Sequence, residues 1–148
     1  MKIIRSENKA DAQYIHDRLY EYNLSKTGAE KQEIILDDDP TRCCFLVLSE
    51  EEPEQCLGGV VFHLDGTVCK VDFLWLSEEL RGKGMGFRLI EKVKEEAAEL
   101  DCSEITLFTS SYQAPGFYPK AGFTLTRKKE GTVAGEADTF YYRFVLRK

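Results

Sequence analysis

Apolar positions along the chain fall into short runs and one long amphipathic stretch, and their spacing sets out the elements. Lys2–Arg5 reads as a short strand. Asn8 is placed to cap a helix from Lys9 to about Asn23, in which Ile15, Leu19 and Tyr22 recur at helical spacing. Ser25–Gly28 is expected to break that helix, and Ala29–Leu36 to form a second, weaker one. Asp37-Asp38-Asp39-Pro40 is a turn. Cys43–Leu48 and Leu57–Leu64 are strand-like runs on either side of the acidic segment Ser49–Glu54. Asp65-Gly66 then closes a hairpin into Val68–Leu76. These runs are almost wholly apolar, which predicts a sheet covered by helices on both faces.

A helix from about Gly84 to Leu100 follows, with Met85, Leu89, Val93, Ala97 and Leu100 on one face. Ile105–Thr109 is a further strand, and Ala114–Lys120 a short helix stopped by Gly122. Phe123–Arg127 and Thr139–Leu146 form a closing antiparallel pair around the glycine-containing loop Gly131–Gly135. The order predicts an α/β fold with a mixed sheet of about six or seven strands. No linker, repeat or low-complexity stretch divides residues 1–148, so the expectation is a single domain.

Composition narrows the class. The chain has 148 residues, with 43% hydrophobic and 11% aromatic content, which excludes general disorder. No apolar run reaches the ~18 residues of a membrane span, and the first residues lack a signal peptide's apolar stretch, so a cytoplasmic protein without membrane partners is expected. A net charge of −6 argues against nucleic-acid binding, which depends on Lys and Arg neutralising phosphates. It leaves room for an anionic ligand held by a local nest of backbone N–H groups. The five cysteines include no CxxC pair, and read as reduced, mostly buried small hydrophobes. His16 and His63 match no metal spacing and read as structural; no metal is expected.

The segment LWLSEELRGKGMGFRLIEKV carries the chemistry. A strand ends at Leu76, a turn runs through Arg81, Gly82, Lys83, Gly84, Met85 and Gly86, and a helix starts at once. Glycines allow close backbone approach, and the helix presents unpaired N–H groups and the positive end of its dipole. Such a turn suits a pyrophosphate. Lys83 is followed by Gly84 rather than Ser or Thr, so the turn is not a Walker loop, and Phe87 and Leu89 stand where a dinucleotide fingerprint needs glycine.

Arg-x-x-Gly-x-Gly between a strand and an amphipathic helix resembles the acyl-CoA signature of the GCN5-related N-acetyltransferase (GNAT) superfamily. A second segment, ITLFTSSYQAPGFYPKAGF (Ile105–Phe123), resembles the family's later motif through Ala114, Phe117, Tyr118, Lys120, Gly122 and Phe123. The resemblance covers nearly the whole chain and implies the GNAT fold. It implies an acetyl-CoA-dependent N-acetyltransferase that moves the acetyl group to a primary amine of a small molecule or protein, by direct attack in a ternary complex. The alternatives are a GNAT-fold module that binds acyl-CoA without transfer, and a P-loop nucleotide-binding protein, which fails on motif spacing.

The resemblance also assigns residues. Leu74 and Leu76 would pair through their backbone with the pantetheine arm, and the N–H groups of Arg81–Gly86 would hold the pyrophosphate. Arg81 and Lys83 side chains would add charge or face solvent. Arg88 and Lys92 would reach a 3′-phosphate or simply form a solvated helix face. Gln113, or Tyr112, stands where many relatives carry a pantetheine-binding Asn, and Phe117 and Tyr118 would flank the sulfur. Tyr118 would protonate the departing thiolate, the alternative being an aromatic packed beside Phe117 and Phe123. A free tyrosine has pKa ~10 against ~8.5 for a thiol, so full transfer is uphill by about 2 kcal/mol. Either the site lowers the Tyr118 pKa, or Tyr118 stabilises the thiolate by hydrogen bonding.

The Leu76 N–H is a candidate for the oxyanion. Candidates for the general base are Asp72, Glu78 and a remote carboxylate such as Glu30, and strict alternation puts Asp72 on the same face as Leu74 and Leu76. Tyr20, Tyr22, Glu30, Tyr141 and Tyr142 could line an acceptor cleft suited to a cationic amine, or pack elsewhere. Dimerisation is common in the family, so a homodimer is a further expectation, although no feature of the chain specifies it.

Overall fold

The computed structural model describes residues 1–27, 33–110, 116–131 and 137–146. Chain order is β1 (Lys2–Ser6), α1 (Lys9–Thr27), β2 (Cys43–Leu48), β3 (Cys56–Asp65), β4 (Val68–Leu76), α2 (Met85–Glu99), β5 (Glu104–Ser110), α3 (Phe117–Lys120), β6 (Thr124–Lys129) and β7 (Thr139–Val145). The strands form one seven-stranded sheet in the order β1-β2-β3-β4-β5-β7-β6. Every neighbouring pair is antiparallel except β4 and β5, which run parallel and are joined through α2, as a parallel connection requires a crossover.

Alternation along the central strands sends side chains to two cores. Cys43, Phe45, Val47, Val60 and Phe62 pack with Leu89, Ile90 and Val93 of α2. Cys44, Leu46 and Val61 pack on the other face with Ala12 and Ile15 of α1. The expected cover by helices on both faces is therefore present over β2–β4. All five cysteines are free and four are buried, as their small apolar character suggests.

Asn8 caps α1 as its side chain predicts: Oδ1 accepts from the Ala10 N–H at 2.9 Å. Three expectations need correction. The helix does not break at Ser25 but continues to Thr27. Residues 33–36 are not helical; the Gln13 side chain donates to the Ile34 carbonyl and accepts from the Leu36 N–H, both at 2.8 Å. Gln13 thus ties this segment alongside α1, taking backbone groups that a helix would need for itself; 29–32 lie outside the described residues. Leu100 does not complete the α2 stripe but is exposed at the helix end, just before Asp101 turns the chain with φ 59°. Of Ala114–Lys120, the described part is helical from Phe117, and Gly122 follows with φ 94°. The loop residues 132–136 lie outside the described residues.

Candidate active site

The parallel pair β4–β5 is joined for only three residues a side, from Val68↔Glu104 to Lys70↔Thr106. Beyond Lys70 the strands part, and a cleft of about 470 Å³ opens between them. Val71–Leu76 and Leu107–Thr109 form its walls, the glycine turn and α2 close one end, and Leu19 and Tyr22 of α1 border it. The parting leaves strand backbone facing the cleft instead of a neighbouring strand, which is the situation in which a bound chain can supply the missing partners.

The turn after β4 is built by its sequence. Glu78–Leu80 form a short 3-10 turn that buries Leu80. Gly82 and Gly84 then take φ 75° and 78°, values costly for residues with a Cβ. That conformation starts α2 immediately, with its first-turn N–H groups at the cleft end. Gly86 lies on α2 where an added Cβ would come within 3.2 Å of the Phe117 ring, so its lack of a side chain lets α3 approach. Phe117 also packs against Phe87, ring centres 4.6 Å apart.

Arg81 is exposed, yet its side chain is held against the cleft wall. Its guanidinium lies over the Tyr22 ring, 4.5 Å from the centroid, and its Nε donates to the Leu76 carbonyl at 3.4 Å. Lys83 is exposed and is not among the residues lining the cleft, whereas Leu74, Leu76, Arg81, Gly82, Gly84, Met85, Gly86, Phe117 and Tyr118 all line it. Arg88 and Lys92 are exposed on α2. Gln113 and Tyr112 lie outside the described residues, as does Glu30.

Tyr118 is buried, and its ring is enclosed by Phe117, Phe123 and Tyr142 at centroid distances of 5.0, 5.8 and 5.6 Å. Burial pushes its hydroxyl well above the ordinary tyrosine range, because the phenolate loses solvation. The site therefore raises the Tyr118 pKa rather than lowering it. Tyr118 thus packs beside Phe117 and Phe123 and also lines the cleft.

Asp72 lines the cleft, but strict alternation fails at it. Val61 pairs with Phe73 and Phe62 with Val71, so Asp72 is the extra residue of a β-bulge. Before the bulge Cys69 and Val71 face the α2 core; after it Leu74 and Leu76 do, while Phe73 and Trp75 face α1. Asp72 thus does not share a face with Leu74 and Leu76. Its Oδ2 lies 2.7 Å from Nδ1 of His63 on β3, and both side chains are 26% exposed. Burial raises the Asp72 pKa above the ordinary carboxylate range, with His63 partly offsetting the rise. Glu78 is exposed and outside the cleft lining.

His63, expected to be structural, meets Asp72: the hairpin register pairs it with Lys70, two positions from Asp72. His16 is structural as expected: it is buried, stacked on Tyr20 at 5.7 Å and edge-on to Phe73 at 5.0 Å. Of the aromatic acceptor candidates, Tyr22 borders the cleft, Tyr142 is buried against Tyr118, and Tyr141 packs beside Phe108.

A sheet split beside a glycine turn and a helix start defines a class, and comparison with known proteins agrees. The family model described as "Acetyltransferase (GNAT) family" matches residues 7–123, and the chain belongs to that family. Blasticidin-S acetyltransferase of Streptomyces morookaense is 37% identical over 75 residues, 50% of this chain and 55% of that protein. The chain's matches span about half the length of its curated relatives. Among solved structures, an acetyltransferase from Bacillus cereus ATCC 14579 is 26% identical with a TM-score of 0.63, covering 99% of both chains. A candidate streptothricin acetyltransferase from Bacillus anthracis str. Ames, solved with acetyl coenzyme A, shares the fold at 22% identity and a TM-score of 0.62, over 74% of this chain and 65% of that one. Among the described residues no helix is long and apolar enough to cross a membrane.

Proposed function

We propose that this chain is an N-acetyltransferase that moves the acetyl group of acetyl-CoA to a primary amine of a small cationic molecule by direct attack in a ternary complex. The observation that carries the reading is the parting of β4 and β5 beside the glycine turn, with Tyr118 and Asp72 on the same cleft. The donor's peptide-like arm would pair with backbone at Leu74 and Leu76. Its pyrophosphate would sit on the N–H groups of Arg81–Gly86 at the start of α2. On a chain of net charge −6, those local dipoles must do what the overall field cannot.

Asp72 takes a proton from the acceptor ammonium, freeing the lone pair that attacks the thioester carbonyl. An alkylammonium has pKa ~10.4 and an ordinary aspartate ~3.9, so full transfer is uphill by about 6.5 units. Each unit by which burial raises Asp72 removes about 1.4 kcal/mol of that gap. The Leu76 N–H stabilises the oxyanion. As the carbon–sulfur bond breaks, Tyr118 donates a hydrogen bond to the leaving thiolate, the nitrogen's surplus proton passes to that sulfur to give the thiol, and Asp72 releases its proton to solvent. A phenol whose pKa is raised is poorly placed to lose its proton outright, which favours this hydrogen-bonding role over full proton donation.

A small acceptor is favoured by the name of the blasticidin-S relative and a cationic one by the half-buried Asp72. The test is acetyl-CoA-dependent thiol release against a panel of blasticidin S, nourseothricin, polyamines and lysine-containing peptides. Turnover confined to cationic small amines is expected. Acetyl-CoA binding without turnover on any amine would favour the non-catalytic binding module, and selective turnover of peptides would overturn the acceptor class.

A further inference from the structure

The bulge at Asp72 creates a difficulty that the neighbouring strand resolves. A bulged residue leaves the regular ladder, so the direction of its side chain is not fixed by sheet geometry alone. A base needs its accepting oxygen within hydrogen-bond reach of the proton it removes. We propose that His63 is a positioning residue for the reaction: its ring, on β3, holds the Asp72 carboxylate toward the cleft and leaves the second oxygen free to accept the acceptor's proton. The inference rests on Asp72 being the base in the reading above.

The contacts around the pair support it. His63 Nδ1 and Asp72 Oδ2 are 2.7 Å apart, a length typical of a charge-assisted bond. The other charged groups facing Asp72 are engaged elsewhere. Arg42, in the segment before β2, donates to the Asp37 carbonyl at 2.6 Å and to Asp37 Oδ1 at 2.5 Å. Asp39 accepts from the Thr41 N–H at 2.8 Å and the Thr41 hydroxyl at 2.7 Å. Both act on Asp72 only through space, Arg42 favouring its charged form and Asp39 opposing it. From α1, His16 packs on the neighbouring Phe73 and turns Nδ1 to Asp17 at 3.1 Å. Among the described residues, His63 is thus the side chain that reaches Asp72 directly. The arrangement resembles the way a carboxylate and an imidazole fix one another in hydrolytic triads, with the roles exchanged: here the carboxylate lines the cleft and the imidazole stands behind it.

The contribution of His63 is twofold. It orients the carboxylate, and it favours the ionised form that must be present before a proton can be accepted. Loss of the imidazole therefore moves the acid limb of activity to higher pH, because the buried carboxyl then has one fewer group holding it ionised. A histidine that merely filled space would leave that limb where it is.

The experiment compares Asp72→Asn, His63→Leu and His63→Asn in the full chain. It measures the pH profile of kcat/KM for the fastest amine of the panel, KM for acetyl-CoA, and the Asp72 carboxyl titration by 13C NMR, which needs no acceptor. Asp72→Asn is expected to lower kcat/KM by about 100-fold or more, the usual span for a general base. His63→Leu is expected to lower it about tenfold, in line with one hydrogen bond to a charged group. It should move both the acid limb and the carboxyl titration upward and leave KM for acetyl-CoA unchanged. His63→Asn retains a donor and should recover most of the rate. If Asp72→Asn keeps wild-type kcat/KM, the base assignment falls and this inference with it. If Asp72→Asn is impaired but His63→Leu moves neither the limb nor the titration, the inference alone is overturned. Equal behaviour of the Leu and Asn variants overturns it too.

Discussion

Replacing Tyr118 with Phe isolates one hydroxyl. The ring sits among Phe117, Phe123 and Tyr142, and phenylalanine keeps that packing, so the variant should fold with little change in Tm. What is lost is the donor to the leaving sulfur. Full proton transfer from an ordinary tyrosine to a thiolate is already uphill by about 2 kcal/mol, and burial of Tyr118 raises its pKa further, widening the gap. The hydroxyl's contribution is therefore a hydrogen bond to a charged acceptor, worth about 1.5–3 kcal/mol. At about 1.4 kcal/mol per tenfold in rate, the loss in kcat should be roughly 10–150-fold. The assay is thiol release followed with a thiol-reactive dye at saturating acetyl-CoA and acceptor, with KM for acetyl-CoA measured alongside. A kcat within twofold of wild type would refute the role. A large rise in KM with unchanged kcat would reassign Tyr118 to binding.

Two further predictions concern stability of the elements that frame the cleft. Gly84→Ala meets no atom within 4 Å, so its cost is the left-handed backbone alone, about 1–2 kcal/mol. Urea unfolding should report that loss, and an unchanged midpoint with unchanged KM for acetyl-CoA would mean that the turn does not need its present shape. Leu89→Ala removes a fully buried side chain of α2 and should cost about 3–5 kcal/mol from lost burial and the cavity left behind; a loss below about 1 kcal/mol in the same assay would mean that the α2 core is loosely packed.

Much of the fold was legible because local pattern and tertiary demand coincide. Cys43–Leu48 and Val68–Leu76 are strands at the residues where the runs begin and end; Cys43–Leu48, buried on both faces, is apolar throughout, as such a strand must be. Asn8 and the stripe Met85, Leu89, Val93 and Ala97 were legible for the same reason. The misread segment 33–36 depends on Gln13, some twenty residues earlier, offering its side-chain amide to the backbone. No local propensity scale contains that competition.

The candidate site divides along the same line. Chain order alone presents RGKGMG after an apolar strand, and Phe117-Tyr118 before Gly122. These are local patterns, and they are enough to single out the turn and the tyrosine. Only the tertiary structure decides that β4 and β5 part after Lys70 and that Arg81 lies over Tyr22. The bulge that takes Asp72 out of phase and sets it beside His63 belongs to the same class. Each depends on how distant segments meet: a sheet's register, its twist and the helices pressed on its faces fix where one residue too many must be accommodated. Periodicity along a single strand carries no record of that.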